Sequence, residues 1–130
     1  MGELEVILDT NAISAWCDGE RALLAALPSD RPLFLPVIAL GEYRFGIKVA
    51  RDRKTREAWL ATVESAVMVL EVSSETACHY ADVREELRQA RTPIPENDLW
   101  IAALARQHDL PVITRDAHFD LVRGIRRVGW

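Results

Sequence analysis

Asp9, Glu42, Asp98 and Asp116 are the residues of this 130-residue chain whose type and placement could do chemistry together. Asp9 closes the apolar run V-I-L, and Asp116 lies two residues beyond the run that ends at Thr114. Glu42 and Asp98 fall in the early turns of two expected helices. Carboxylates about 4 Å apart repel by a few kcal/mol per close pair at an effective dielectric near 20, so a cluster calls for a cation or a shared proton. The four include no cysteine or histidine, and hard oxygen donors suit Mg²⁺, with Mn²⁺ as a substitute, over Zn²⁺. Mg²⁺ keeps several waters, which suggests Asp9 and Asp98 as direct ligands and Glu42 and Asp116 as ligands through water. Acids, a metal and water with no covalent nucleophile point to phosphodiester hydrolysis. Thr10, Asn11, Asn97 and Thr114 stand beside the acids in sequence and could orient that water or a phosphate.

Each acid has a plainer explanation. Asp9 and Asp98 could cap helices or favour the positive end of a helix dipole. Glu42 could be an exposed helical glutamate and Asp116 a turn residue. The case for chemistry rests on all four reaching the same place, and that depends on the elements that carry them.

E-V-I-L predicts a buried strand over 5–8, followed by a helix that starts at T-N-A-I-S, with Asp9 or Thr10 as its N-cap. P-L-F-L-P-V predicts a second strand closed by Pro36, leading into a helix through I-A-L-G-E-Y-R-F-G-I-K. Trp59, Leu60, Val63 and Val67 follow helical spacing after Asp52, and V-M-V-L-E-V reads as a third strand. The run S-S-E-T through R-Q-A at 73–90 predicts a helix with Tyr80, Val83 and Leu87 on one face; Ser74 with Ala77 makes no full capping box, though Ser73–Thr76 offer cap hydroxyls. The loop R-T-P-I-P-E-N-D leads into the almost wholly apolar helix L-W-I-A-A-L-A-R-Q-H. L-P-V-I-T is a fourth strand, and G-I-R-R-V could add a short fifth at an edge.

Strands alternating with helices predict a three-layer α/β/α sandwich around a parallel sheet of four to five strands, in a single domain spanning residues 1–130. Ligand crevices of such sheets lie outside the carboxyl ends of the strands, and right-handed crossovers bring the helix N-termini to that edge. The four acids are therefore expected on one rim.

Composition sets bounds. The net charge of −4 argues against a general nucleic-acid coat, while a bound cation would reverse the local field at an acidic site. Arg44, Lys48, Arg51, Arg53, Lys54 and Arg56 cluster against one acid, Asp52. Together with Arg115, Arg123, Arg126 and Arg127 they are either a solvated face or the flanks of a nucleic-acid path. The longest apolar stretch, near 99–105, is far too short to span a bilayer, and the N-terminus lacks the pattern of a signal peptide. Cys17 and Cys78 match no metal or redox spacing and read as reduced core residues of a cytoplasmic protein.

Four segments, I-L-D-T-N at 7–11, V-I-A-L-G-E-Y-R-F-G at 37–46, P-I-P-E-N-D-L-W-I-A-A at 93–103 and V-I-T-R-D-A-H-F at 112–119, resemble the PIN domain, and within it the VapC-type toxins. Their order and spacing carry the resemblance over nearly the whole chain. It implies a metal-dependent endoribonuclease with Asp9, Glu42, Asp98 and Asp116 at the family's acidic positions, Asp116 being the most variable. It further implies a homodimer, a cognate antitoxin whose C-terminal segment covers the groove, and contact with operator DNA through the antitoxin complex. Glu96 is a further carboxylate that could contribute.

Other readings fit less well. No glycine-rich fingerprint follows the first strand, Asn11 stands where a phosphoaspartyl phosphatase wants its second Asp, and the third strand ends without the Asp of a receiver domain. His79, His108 and His118 are scattered, and His118 reads as a loop histidine. A non-catalytic protein-binding module of the same fold, with Trp16, Phe45, Trp59 and Trp130 as contact candidates, and a DNA-directed nuclease are the alternatives.

Overall fold

The computed structural model describes residues 5–130. The reading of the N-terminus therefore lies, for Met1–Leu4, outside the described residues. Five parallel strands run in the order β3-β2-β1-β4-β5: β1 (Val6–Leu8), β2 (Leu33–Pro36), β3 (Val67–Leu70), β4 (Val112–Ile113) and β5 (Arg127–Val128). β1 is central and wholly buried, as is β4 beside it, which is why both read as unbroken apolar runs rather than alternating ones. Helices flank the sheet, giving the expected α/β/α sandwich: α1 (Thr10–Cys17), α2 (Arg21–Ala26), α3 (Val37–Lys48), α4 (Arg53–Glu64), α5 (Ser74–Ala90) and α6 (Glu96–His108).

Two proline positions set the helices that matter for the site. Pro36 ends β2 and caps α3, and Pro95 caps α6, each holding the extended backbone from which a helix can start. α6 therefore begins at Glu96, three residues earlier than its apolar run, and takes Asp98 into its first turn. Ile101, Ala102, Ala103, Leu104 and Ala105 are fully buried, so α6 is covered on several sides, and its alanines permit close approach by neighbouring elements.

The fold departs from the sequence expectations at several points. α2 has no counterpart among them, because R-A-L-L-A-A is a single short apolar turn with one buried anchor, Leu23. A 3-10 helix at Ala117–Leu121 follows Asp116, held by Phe119, which is 1% exposed. Ser73 and Thr76 do form a capping box, since a threonine hydroxyl can accept from the cap N–H as a glutamate would. Val67 belongs to β3, not to the helical stripe of α4. Cys17 is half-buried and Cys78 exposed, so neither is the core residue that its apolar character suggested. No helix among the described residues is long and apolar enough to cross a membrane.

Candidate active site

The strand order reverses between β1 and β4, and the four acids gather at the carboxyl ends of these two strands. Asp9 follows β1 directly and caps α1, with Oδ1 accepting from the Thr10 N–H at 2.8 Å. Its Oδ2 accepts from the hydroxyl of Thr114, the residue after β4, also at 2.8 Å. That hydroxyl, fully buried, accepts in turn from Asn11 Nδ2 at 3.1 Å and from the Asp116 N–H at 2.9 Å. The Asn11 amide oxygen accepts from the Arg115 N–H at 3.3 Å. One threonine thus ties the exits of two neighbouring strands together and fixes both aspartates that follow them.

The remaining two acids come from helices. Glu42, in the second turn of α3, accepts from the Thr10 hydroxyl at 3.1 Å. Asp98 reaches in from the first turn of α6. Between Asp98 and Asp116 lies His118, its Nδ1 3.1 Å from Asp98 Oδ2 and 2.8 Å from Asp116 Oδ1. The four acids line one open cavity of about 520 Å³, together with Thr10, Asn11, Ser14, Asp18, Glu20 and Arg115.

Burial, with neighbouring carboxylates adding repulsion, raises two of the acids, Asp9 and Asp98. Burial pushes the Asp9 carboxyl above the usual range, opposed by Thr114 and the Thr10 N–H and reinforced by Glu42 and Asp116. Asp98 is pushed up to about 6, chiefly by burial, against the lowering effect of His118 and with Asp9 and Asp116 adding repulsion. The Asp98 carboxylate, hydrogen-bonded to His118, raises that imidazole in its turn, with Asp116 contributing. Acids whose charged forms are disfavoured in this way would be relieved by a bound cation.

The donor set fits a hard divalent cation. Asp98, Asp116 and His118 can bring one ligand atom each to within 4.8 Å of one another, and Asp9 and Glu42 line the same cavity. The histidine corrects the expectation of a site free of nitrogen donors. Its ring is half-exposed and does not line the cavity, whose acidic donors are all oxygens.

Of the supporting residues, Thr10, Asn11 and Thr114 join the network. Asn97 is exposed on α6 and lines no part of the cavity. Glu96 is turned away, pairing with Arg84 and hydrogen-bonded to Tyr80. The basic run divides. Arg44 pairs with Glu64 and Arg53 with Glu57, while Lys48 and Lys54 are exposed along α3 and α4. Arg51 and Arg56 line a second cavity of about 410 Å³ that shares Thr10, Ser14 and Glu42 with the first. Arg115 lines the acidic cavity itself. Trp16 and Trp59 pack edge to face at 5.6 Å against the core, and Phe45 remains 67% exposed.

Sequence reasoning missed His118, Asp18 and Glu20. His118 had a signal, since a residue two positions after a capping aspartate lies over that carboxylate. Asp18 and Glu20 had none, because the turn after α1 brings them to the rim by tertiary packing alone.

Replacing Thr114 with Val should lower stability by about 1–3 kcal/mol, since Asp9 Oδ2, the Asn11 amide and the Asp116 N–H would all lose their partner in a buried place. Thr114→Ser should keep most of it. Denaturant titration of both variants checks this, and a Thr114→Val protein as stable as the parent would refute the role given to the hydroxyl.

The chain matches the PIN domain family over residues 6–125. It is 37% identical over 124 residues to a Mycobacterium tuberculosis protein named ribonuclease VapC5, covering 94% of this chain and 90% of that one. Among solved structures, DNA-bound VapBC from Salmonella typhimurium superposes with a TM-score of 0.86 at 26% identity, covering 98% of this chain and 99% of that chain. The VapBC-5 toxin–antitoxin system of Mycobacterium tuberculosis superposes with a TM-score of 0.79 at 30% identity, covering 98% and 100%.

Proposed function

The chain belongs to the PIN domain family, and from that premise we propose that it is a divalent-metal-dependent endoribonuclease, the toxin of a toxin–antitoxin pair. The observation that carries this reading is the meeting of Asp9, Glu42, Asp98 and Asp116 in one cavity at the switch point of the sheet. RNA as substrate and an antitoxin as partner are supported by the ribonuclease name of the 37% identical relative and by the toxin–antitoxin complexes among the structures it resembles. Homodimerisation, and operator contact only through the antitoxin complex, belong to the same reading.

A Mg²⁺ or Mn²⁺ ion held here would polarise the phosphoryl oxygens and make an attacking water more acidic. The chain's own residues supply the rest. Asp9 and Asp98, the two most buried acids, would hold the ion directly, and Asp116 and Glu42 would act through its waters. Thr114 and the Thr10 N–H fix both oxygens of Asp9, so the ligand sphere is set before substrate arrives, which lowers the reorganisation needed at reaction. Glu42 is exposed at the mouth and steadied by the Thr10 hydroxyl, where it can take a proton from water that enters the cavity. The network around Thr114 fixes Asp9 and Asp116 relative to each other, so the acids that would hold the ion are preorganised.

The alternatives separate in one experiment. A mixed RNA pool and a matched single-stranded DNA pool are incubated with the protein in Mg²⁺ and in EDTA. Cutting of RNA alone, abolished by EDTA, is expected. Cutting of DNA instead would redirect the substrate. Cutting of neither by a folded protein would favour a non-catalytic binding module.

A further inference from the structure

Among the described residues, six carboxylates line the acidic cavity, Asp9, Asp18, Glu20, Glu42, Asp98 and Asp116, and the one cationic side chain in that lining is Arg115. A polyanion entering such a cavity is opposed by every fixed charge except this guanidinium and whatever cation the acids bind. Arg115 is also held in a particular way. Its backbone N–H is fixed by Asn11 at 3.3 Å, its guanidinium pairs with Glu20, and its planar head lies 4.7 Å over the ring of Trp130. Trp130 Nε1 donates to the same Glu20 carboxylate at 3.0 Å. Residues 95 and 110 positions from Glu20 in sequence thus converge on one carboxylate at the rim.

From this convergence we infer that Arg115 is the residue that grips an RNA phosphate beside the scissile one, with Trp130 as its positioning residue and Glu20 as the anion it exchanges for the phosphate. The inference rests on the nuclease reading for the identity of the ligand. A planar guanidinium suits a phosphate because two parallel N–H groups match two phosphoryl oxygens. The Arg115 side chain is 52% exposed and that of Glu20 34% exposed. An ion pair that wet contributes little net stability and exchanges readily for a phosphate. Trp130 supports one face of the cation and leaves its edge N–H groups to the cavity, and the backbone bond to Asn11 sets the base of the arm relative to Thr114 and Asp9. Glu20 is a stand-in anion: it holds Arg115 at the rim in the free protein and competes with substrate for it.

The test is steady-state cleavage of a short mixed-sequence single-stranded RNA as a function of salt, for the parent, Arg115→Gln, Arg115→Lys, Glu20→Gln, Trp130→Ala and Trp130→Phe. Arg115→Gln should raise KM about tenfold with little change in kcat, and flatten the dependence of log KM on log salt by about 0.7 for one lost phosphate contact. Arg115→Lys should restore the salt slope but not the full KM, since a point charge lacks the fork. Glu20→Gln should lower KM by removing the competitor. Trp130→Ala should raise KM with the salt slope unchanged, and Trp130→Phe should recover it. A merely structural role would move melting temperature and leave the salt slope alone.

Failure of this inference and failure of the nuclease reading look different. If the parent cuts RNA and Arg115→Gln keeps its KM and slope, Arg115 does not touch substrate and the inference is overturned. If the parent cuts nothing, equilibrium binding of the same RNA is measured for the parent and for Arg115→Gln. A salt slope that falls with the substitution then upholds the phosphate contact while the nuclease reading is lost. If instead the substitution weakens only the binding of a glutamate-rich peptide and leaves RNA binding intact, Arg115 is a protein-contact residue and the inference is overturned.

Discussion

Substitution of Asp98 by Asn should lower RNA cleavage by roughly a thousandfold or more while making the metal-free protein more stable at neutral pH. The first effect follows from losing one of the two acids proposed above to hold the ion directly. A catalytic cation is worth several kcal/mol of transition-state stabilisation, and each 1.36 kcal/mol is tenfold in rate. The second follows from the charge crowding of the acidic cluster. The Asp98 carboxyl is pushed up to about 6, mainly by burial, from a value near 3.8 in the unfolded chain. Between those values the folded protein binds more protons than the unfolded one, so stability falls as pH rises through that window. Above pH 6 the penalty is complete, on the order of 1–3 kcal/mol for a shift of this direction and size. His118 acts in the same sense. Its imidazolium is favoured by Asp98, and that contribution is lost as pH rises past its raised value.

Asparagine keeps the shape and removes the charge. The difference in melting temperature between Asp98→Asn and the parent, both without metal, should therefore be small at pH 4 and favour the variant at pH 7.5. Differential scanning fluorimetry across that range, with cleavage assays alongside, measures both effects. A variant that retains turnover, or one that gains nothing in stability as pH rises, would count against Asp98 as a crowded metal ligand.

Divalent metal should reverse that pH trend in the parent. An ion that binds the native state alone stabilises it by about 2.7 kcal/mol at one hundred times its Kd, equivalent to roughly 10 °C for a domain of this size. Protons compete for the same oxygens, so the gain should be large at pH 7.5 and shrink as pH falls below the raised value of Asp98. EDTA should abolish both the thermal shift and cleavage, and Mn²⁺ should restore both. Cleavage that survives exhaustive chelation, with a melting curve indifferent to millimolar Mg²⁺ at pH 7.5, would remove the metal from the mechanism.

Much of this site is legible in the amino-acid sequence. Runs such as V-I-L and L-P-V-I-T are apolar without alternation, which marks strands buried on both faces and so a parallel sheet. In a parallel sheet the residue after each strand reaches one edge, and that places Asp9 and Asp116 together by topology alone. Asp98 is legible because Pro95 can start a helix but not continue one, so the acid three residues later has to lie in the first turn.

Other parts are decided by packing between segments distant in the chain. R-A-L-L-A-A carries too little apolar surface to announce α2, and that helix and the turn before it deliver Asp18 and Glu20 to the rim. The run from Arg44 to Arg56 looks uniform in sequence, yet salt bridges to Glu64, Glu57 and Asp52 occupy Arg44, Arg53 and Arg56, while Arg51 and Arg56 line the second cavity. His118 has the sequence surroundings of a loop histidine, yet Phe119 anchors a 3-10 helix that turns its ring onto Asp98, twenty positions earlier. By itself the sequence determined the sheet, the edge and the identity of the acids, because periodicity, proline and strand order are local or topological properties of the chain. Which charges meet there, and which are spent on other partners, was decided only by the tertiary structure, because contact ion pairs and hydrogen bonds need their groups within a few ångströms and depend on neighbours that no sequence spacing records.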